Sequence, residues 1–357
     1  MIFDDPSIYT RYDQQNMLWH LQHLADQLDN GWKLGLNQEA PKSNSLKQII
    51  VVGVGGSAIG ADLVQNYINN QLSIPYTLVR DYEIPAWVSG PSFLVVGSSH
   101  SGNTEEVLIA LEIAHKRGCT LLGISTGGKL EDLALKFNFP LWKYDYRGQP
   151  RAAVGYSFTL ILALLYRLKA IADPTFELDS AIQAMSILQK KLDPQIPTVQ
   201  NPAKRMAGQL IGRWVSVFGA GFLAPVARRW KTQINELAKA WAQSEEIPEA
   251  NHNLLTGTQN PETLLSQIVA LFLRSRFLHP RHQQRLEMTK REFMLQGLGT
   301  DFIDAEGDTP LAQLWTSLLL GDYIAYYLAI AYGVDPTPIE MLENFKRELA
   351  KIPFSPD

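Results

Sequence analysis

The chain has 357 residues, of which 46% are hydrophobic and 19% are charged, and its formal net charge is −4. This length is enough for two domains of ordinary size with a substantial core. The charge balance gives no reason to expect nucleic acid or an anionic membrane surface as a partner. A single cysteine, Cys119, excludes a disulfide within the chain, and its apolar neighbours predict a buried core residue rather than a nucleophile.

The N-terminal residues and the apolar segments predict a cytoplasmic protein with no membrane partner. Met1 to Asp5 form an acidic start, without the basic residues and apolar core of a signal peptide. The longest apolar stretches are Phe158 to Tyr166 and Tyr323 to Tyr332, and both are shorter than the ~20 residues that span a bilayer. Both stretches are therefore predicted to be buried helices.

The first half of the chain alternates apolar runs with helical patterns. Leucines at helical spacing predict a helix over residues 7–32, ended by Gly31, and a polar lead-in over 41–45 follows. A long buried helix is predicted over 156–171. This alternation predicts a parallel, doubly wound sheet. Apolar runs typical of buried parallel strands lie at 49–52, 76–79, 93–96, 121–125 and 141–144.

The second half repeats this organisation after a break at Asp173-Pro174. Each half opens with a strand, a glycine turn and a helix, so the two halves are expected to be similar. The predicted fold class is α/β, with two doubly wound, flavodoxin-like parallel-sheet domains, 1–174 and 175–357, that carry helices on both faces. Strands are predicted at 214–218, 265–273 and 300–303, and helices at 177–193, 223–242, 281–295, 310–332 and 338–351.

Two hydroxyl-rich turns follow predicted strands of the first half and suit a phosphate. Free N–H groups at a helix start, the helix dipole and the hydroxyls all favour an anion. A single serine-rich turn is more often only a capped loop, with Asn103 or Thr104 as the N-cap. Two such turns favour one monophosphate held from two sides. The candidate phosphate-binding residues are Gly55, Gly56 and Ser57 in the first turn and Ser99, Ser101 and Thr104 in the second.

A dinucleotide is the competing ligand for these turns. The pattern Gly53-x-Gly55-x-x-Ala58 loosely fits a dinucleotide fingerprint, and Asp81 lies roughly where a ribose-binding acid could sit. Hydroxyls at both turns favour a monophosphate over a dinucleotide. If the two strands lie side by side, both turns meet at the carboxyl edge of the sheet, where ligands bind.

Six segments in order resemble the sugar isomerase (SIS) domain proteins, and more narrowly the bifunctional phosphoglucose/phosphomannose isomerases. The resemblance covers nearly the whole chain and implies two SIS domains. It implies an aldose–ketose isomerase that converts glucose 6-phosphate, and mannose 6-phosphate as well, to fructose 6-phosphate through a cis-enediolate, without a cofactor. The segments are 53–62, 99–106, 149–157, 229–239, 250–257 and 333–349.

The resemblance also implies a role for individual residues. The six turn residues bind the sugar phosphate, Arg151 stabilises the enediolate and Glu236 is the catalytic base. His252 opens the sugar ring and reaches in from the partner subunit of a homodimer, while Lys346 contacts the substrate during ring opening. A carboxylate suits the proton transfer, a fixed cation suits the growing negative charge, and an imidazole can shuttle a proton near neutral pH.

Structural interpretations compete with these catalytic roles. Outside that family context, Glu236 would be a solvated charge paired with Lys239, and Lys346 would lie on a solvated helix face. Arg228 and Arg229 are predicted to form a polar helix face rather than a nucleic-acid patch. No metal site is expected, because His252 has no metal-ligand partner at close spacing.

Two residues depart from the family pattern, and two other functions stay open. His100 stands where Tyr is often found, and Leu237 stands where Asn is common. Both could reshape the pocket and alter the preference between glucose and mannose phosphates. The other functions are a sugar-phosphate sensor without catalysis and an amino-sugar phosphate isomerase or synthase subunit.

Overall fold

Five parallel strands form the first sheet of the computed structural model, which describes residues 2–41 and 46–352. Residues 42–45 of the predicted polar lead-in lie outside the described residues. The strand order is β2-β1-β3-β4-β5, so the prediction of a flavodoxin-like sheet is confirmed. The strands are β1 Gln48–Val52, β2 Tyr76–Val79, β3 Phe93–Ser98, β4 Thr120–Ser125 and β5 Leu141–Lys143.

The second sheet repeats this arrangement with four parallel strands. Its order, β7-β6-β8-β9, matches the order of the first four strands of the first sheet. Within the described ranges it has no counterpart of β5. The strands are β6 Trp214–Ala220, β7 Ala242–Ile247, β8 Ile268–Arg274 and β9 Gly299–Asp304.

Helices surround both sheets, as the α/β prediction requires. In the first half they are α1 Ser7–Tyr12, α2 Met17–Gln22, α3 Leu24–Asn37, α4 Gly55–Ile68, α5 Glu105–Lys116, α6 Lys129–Phe137 and α7 Val154–Arg167. In the second half they are α8 Thr175–Leu192, α9 Pro202–Leu210, α10 Ala224–Leu237, α11 Glu262–Leu265, α12 Pro280–Leu295, α13 Pro310–Tyr332 and α14 Glu340–Leu349.

The single helix predicted over residues 7–32 is wrong, because three helices occupy this stretch and the last runs on to Asn37. Gly31 does not end a helix. It lies where α3 crosses α7, and a Cβ atom at Gly31 would come within 2.2 Å of the Thr159 Oγ1. This glycine permits close helix packing rather than a turn, a difference that the local pattern does not reveal.

The helix predicted over 223–242 is too long, because α10 ends at Leu237 and β7 begins at Ala242. The strand was missed since its sequence, Ala-Gln-Ser-Glu-Glu-Ile, is polar. β7 pairs only with β6 among the described strands, so it is an edge strand with a partly exposed face. Helix α9 was also missed, although Asn201 caps it by accepting from the N–H groups of Ala203 and Lys204.

Helix α13 is the core helix of the second half. By length and composition its 23 residues could cross a membrane, but 89% of its most apolar window is buried inside the protein. It packs against α8, α9 and α10, and α1 and α2 also contact it. The prediction that the apolar run ending at Tyr332 is a buried helix is confirmed.

An ion-pair cluster joins the two halves beside the sheets. Asp62 on α4 is buried and accepts from Arg80, at 2.6 Å, and from Arg228 on α10. Helices α4 and α10 also contact each other directly. This contact brings the helix after the first glycine turn next to the helix that carries Glu236.

Candidate active site

The two hydroxyl-rich turns lie side by side at the carboxyl edge of the first sheet. Strands β1 and β3 are neighbours, with Val52 opposite Gly97, so the segments that follow them meet. The backbone N–H of His100 in the second turn donates to the Ser57 Oγ in the first, at 3.0 Å. The topology therefore brings the predicted phosphate-binding turns together.

The helix starts behind these turns lack side-chain caps within the described residues. Helix α4 begins at Gly55, whose φ of +55° favours glycine, and no side chain bonds its first N–H groups. Thr104 occupies the N-cap position of α5 but makes no capping bond, because its hydroxyl bonds the Ser99 hydroxyl at 2.7 Å. The capped-loop interpretation of the second turn is therefore wrong for Thr104, and N–H donors remain for an anion.

Arg151 lies beside the first turn because Gly56 allows a close backbone approach. A Cβ atom at Gly56 would come within 2.7 Å of the Arg151 nitrogen and of the Pro150 carbonyl oxygen. The short 3-10 helix Pro150–Ala153 therefore packs directly on the glycine turn. Only 2% of Arg151 is exposed, so its guanidinium is a fixed, buried cation.

The Arg151 guanidinium reaches across to the second half of the chain. Its Nη2 donates to the carbonyl oxygens of Pro336 and Thr337, and its Nη1 lies 3.5 Å from the Glu236 Oε2. Its Nε is buried without a hydrogen-bond partner, and so is the Thr337 hydroxyl, in the described part of the chain. Burial lowers the pKa of Arg151, while the Glu236 carboxylate opposes this shift. A fixed cation beside a carboxylate makes this pair the candidate centre of the site.

Glu236 stands at the last turn of α10, and 28% of its side chain is exposed. Its carboxylate faces Arg151. The Lys239 Nζ donates instead to the Glu236 backbone carbonyl, at 2.8 Å. The competing interpretation of Glu236 as a solvated charge paired with Lys239 is therefore wrong. Leu237 is fully buried in the core, so its side chain does not face this site.

His252 and Lys346 do not join the site in the single chain. His252 lies in the short 3-10 helix Glu249–His252 that follows the edge strand β7, and it is exposed. Lys346 lies on α14, where every described residue from 340 to 349 is exposed. No hydrogen bond or ion pair joins either residue to Arg151 or Glu236 within the ranges that the structure covers. Ser101 is also exposed, and its Oγ accepts from the Asn103 N–H at 3.2 Å.

His100 is a buried residue whose contacts lie behind the phosphate turns. Its Nε2 lies 3.0 Å from the Gly148 carbonyl, which can only accept, so Nε2 carries the proton. Its Nδ1 then accepts from the Tyr144 hydroxyl, at 3.0 Å. Burial lowers the pKa of His100, which keeps the ring neutral. The His100 side chain therefore bonds the segment that leads into Arg151.

Arg229 does not lie on a polar helix face, contrary to the prediction from the sequence. It is buried and forms a bidentate ion pair with the Asp322 carboxylate on α13. Its Nε donates to Oδ1 at 3.0 Å and its Nη2 donates to Oδ2 at 2.7 Å. The predicted polar helix face is therefore wrong for Arg229, and Arg228 binds the buried Asp62 instead of facing solvent freely. The pair locks α10, and hence Glu236, onto the core helix.

Cys119 and Asp81 differ in how far they are buried. Cys119 is half-buried rather than fully buried, and burial raises the pKa of its thiol. Asp81 is exposed, and its carboxylate accepts from the neighbouring Tyr82 N–H. No group of three or more His, Cys, Asp and Glu residues among those described could hold a metal ion.

A family model and the related proteins found by comparison indicate the same family. A family model described as the bacterial phospho-glucose isomerase C-terminal SIS domain matches residues 199–349. The chain is 34% identical over 340 residues to a bifunctional phosphoglucose/phosphomannose isomerase of Caldicellulosiruptor bescii, covering 94% of this chain and 99% of that protein. A protein of the same name from Aquifex aeolicus is 31% identical over 306 residues, covering 85% and 91%.

The solved structures show the same fold. A glucose-6-phosphate isomerase like protein from Thermus thermophilus aligns with a TM-score of 0.65 at 18% sequence identity. The alignment covers 95% of this chain and 99% of that chain. At this identity the likeness supports the two-sheet architecture.

Proposed function

This chain belongs to the bifunctional phosphoglucose/phosphomannose isomerase family, and from this premise we propose that it interconverts glucose 6-phosphate and mannose 6-phosphate with fructose 6-phosphate. The proposed enzyme is an aldose–ketose isomerase of carbohydrate metabolism, water-soluble and cytoplasmic, that needs no metal or cofactor. We also propose that the chain divides at residue 174 into two SIS domains, the first with the phosphate turns and the second with the base.

One observation supports this function most strongly. Arg151 is fixed beside the glycine turn of the first half, and its guanidinium meets the Glu236 carboxylate of the second half at 3.5 Å. A phosphate bound at the turns would extend its sugar chain toward this pair. An isomerase needs these groups next to one another, since a proton moves between adjacent carbons while negative charge grows on the attached oxygens.

In the proposed reaction, Glu236 removes the proton from C2 of the open-chain aldose and returns it to C1. The electrons of the broken C–H bond form the enediolate, whose O1 accepts from the Arg151 guanidinium, and the O2 hydroxyl proton passes to O1 as C1 is protonated and the C2 ketone forms. The Arg151 Nη1, which faces Glu236 at 3.5 Å, is the donor proposed for this contact. The phosphate is held by the turn residues Gly55, Gly56, Ser57, Ser99, Ser101 and Thr104.

Ring opening requires the two groups that stand apart in the single chain. We propose a homodimer in which His252 enters the site of the partner subunit and donates a proton to the ring oxygen as the C1–O5 bond breaks, while the O1 hydroxyl loses its proton to water and becomes the aldehyde oxygen. Its exposure after an edge strand supports this role, since an edge presents unpaired backbone groups to a second copy. Lys346 is proposed to contact the substrate from the same chain, on α14.

The function is tested by assaying the purified protein with each sugar phosphate. Turnover of glucose 6-phosphate to fructose 6-phosphate is expected, and comparison with mannose 6-phosphate settles whether both hexoses are used. Glucosamine 6-phosphate serves as the control substrate, and turnover of this compound alone would indicate an amino-sugar enzyme. Tight binding of hexose phosphates without any turnover would indicate a sensor and contradict the proposal.

A further inference from the structure

Three consecutive backbone carbonyls between α13 and α14 are held by two cations of the candidate site. The Asp335 carbonyl accepts from the Lys239 Nζ at 2.9 Å, and the Pro336 and Thr337 carbonyls accept from Arg151. We name residues 335–337 the strap. Because two side chains from different halves of the chain hold it, the strap connects Lys239 to Arg151.

Lys239 adopts a backbone conformation that favours glycine. It follows the C-terminal end of α10 with a φ of +54°, in the left-handed region. Helices often end with glycine in this conformation, because a Cβ atom is unfavourable there. Its side chain bonds two carbonyls, those of Glu236 at 2.8 Å and Asp335 at 2.9 Å. A lysine at this position therefore supplies an ammonium group to the two carbonyls, although its backbone conformation is less favourable than that of a glycine.

The ammonium group of Lys239 lies on an exposed residue but beside another cation. Desolvation lowers its pKa to about 8, and the nearby Arg151 guanidinium contributes to the shift. Asp335 and Glu236 are the other charged groups that act on it, and both oppose the shift. Lys169 shares the left-handed backbone, so the two carbonyl contacts beside the Arg151–Glu236 pair, and not the strain by itself, distinguish Lys239.

We propose that Lys239 is a positioning residue that holds the strap and, through the strap, orients the Arg151 guanidinium toward Glu236. This inference rests on the proposed isomerase function, in which Arg151 stabilises the enediolate. Fixing the Asp335 carbonyl fixes the next two carbonyls, and these determine how the Arg151 Nη2 is oriented. The Arg151 Nη1 is then directed at Glu236 and toward the proposed position of the reacting carbons.

The chain contains a matched control for the backbone effect. Lys169 follows the C-terminal end of α7 with a φ of +57°, so it shares the left-handed conformation of Lys239. It is exposed, and its side chain makes no hydrogen bond in the region that the structure describes. Replacing Lys169 by glycine therefore removes the same strain and the same charge without removing a contact.

The test compares three variants, Lys239→Gly, Lys239→Arg and Lys169→Gly, with hexose phosphate as substrate. Lys239→Gly is expected to keep or raise the melting temperature while kcat falls about tenfold or more and KM changes by less than about threefold, as loss of orientation predicts. Lys239→Arg can still donate to both carbonyls and should keep kcat within about threefold of the wild type. Lys169→Gly should leave kcat and KM unchanged.

A pH profile gives an independent readout. In the wild type, kcat is expected to decline above about pH 8 as the Lys239 ammonium loses its proton. Lys239→Arg should remove this decline, because the guanidinium stays charged. A decline that persists unchanged in Lys239→Arg would contradict the role of this ammonium group.

The remaining outcomes separate this inference from the proposed function. Wild-type kcat in Lys239→Gly would overturn the positioning role while leaving the isomerase proposal intact. A lower melting temperature in Lys239→Gly, with no rescue of kcat by arginine, would show a merely structural role. A wild-type protein that turns over none of the hexose phosphates would overturn both proposals together.

Discussion

The candidate phosphate turns of the first half and the proposed ring-opening residues of the second half differ in how complete they are within one chain. The turns are adjacent, partly buried and joined by the hydrogen bond from His100 to Ser57. His252 and Lys346 are exposed and stand apart from the Arg151–Glu236 pair. The first region is assembled by its own sheet, whereas the second is not assembled within one chain, and in the proposed homodimer a partner subunit completes it.

The difference follows from the position of each group in its sheet. The two turns follow β1 and β3, neighbours inside a parallel sheet, so their adjacency is a direct result of strand order. His252 follows β7 at the edge of the second sheet, where only one side has a described neighbour. A central position assembles a site within the chain, and an edge position makes a group available to another molecule.

The largest expected effect concerns Glu236, the residue of the second half whose carboxylate faces Arg151. Glu236→Gln keeps the shape of the side chain but removes the base, so kcat should fall roughly 10³-fold, as general-base catalysis predicts. Binding of the substrate phosphate should be retained, because the turns belong to the other half. Steady-state kinetics and a ligand-binding titration check this, and near wild-type kcat would remove Glu236 from the mechanism.

A smaller effect is expected from a change that disturbs only the first half. Gly56→Ala places a Cβ atom 2.7 Å from the Arg151 nitrogen, so the arginine loop must shift, and activity should fall roughly 10²-fold. Gly208→Ala on α9 is the control, because its Cβ would meet nothing closer than 3.9 Å. Equal activity of the two variants would show that the packing on Gly56 does not position Arg151.

Mixing two inactive variants tests whether the second half is completed by a partner. Glu236→Gln and His252→Ala should each be inactive alone, but a mixed dimer would hold one site with both native residues. Random reassociation of equal amounts should restore about a quarter of the wild-type activity, since half of the dimers are mixed and each has one intact site. Activity that stays at the level of the separate variants after subunit exchange would contradict His252 acting across an interface.

The smallest expected effect is on stability at acid pH, and it arises in the first half. Burial lowers the pKa of His100 and of His20 below the ordinary value of 6.5, so the unfolded chain binds protons more readily than the folded one. The free energy of unfolding should therefore decrease as pH falls below about 6.5. Urea unfolding between pH 5 and pH 7 measures this slope, and His100→Gln should reduce it.

His100→Gln is a suitable change because a carboxamide can still donate to the Gly148 carbonyl and accept from Tyr144. The variant removes the titrating ring while keeping both hydrogen bonds. An unchanged slope in this variant would show that His100 does not contribute to the acid sensitivity.

Local patterns in the sequence predicted the parallel sheets and placed the two hydroxyl-rich turns at the ends of strands, whereas phosphate binding at these turns stays a prediction. The strand at 49–52 and the turn after it are recognisable from the residues of that segment alone. Strand order then brings the two turns together. The polar edge strand β7 was missed, because an edge strand does not need the apolar composition of a buried one. The prediction that Gly31 ends a helix is wrong for a different reason. This glycine is required by packing against α7, which is distant in the sequence.

The contacts that organise the candidate site are long-range and were not predictable from spacing. Arg229 binds Asp322 across 93 residues, and Lys239 binds Asp335 across 96 residues. Glu236 was identified through a family resemblance, while nothing in its neighbours distinguishes it from a surface glutamate. Only the folded chain shows that Lys239 bonds its backbone and Arg151 faces its carboxylate.

The packing of α1 and α2 against α13 has a consequence for synthesis on the ribosome. The Tyr326 hydroxyl donates to the Asp13 carboxylate across 313 residues, and Tyr9 stacks on Tyr326. At ordinary translation speeds the interval between these residues is of the order of 15 to 60 s. Throughout that interval the apolar side of the early helices, including Met17, lacks its partner surface and is open to chaperones in the nascent polypeptide.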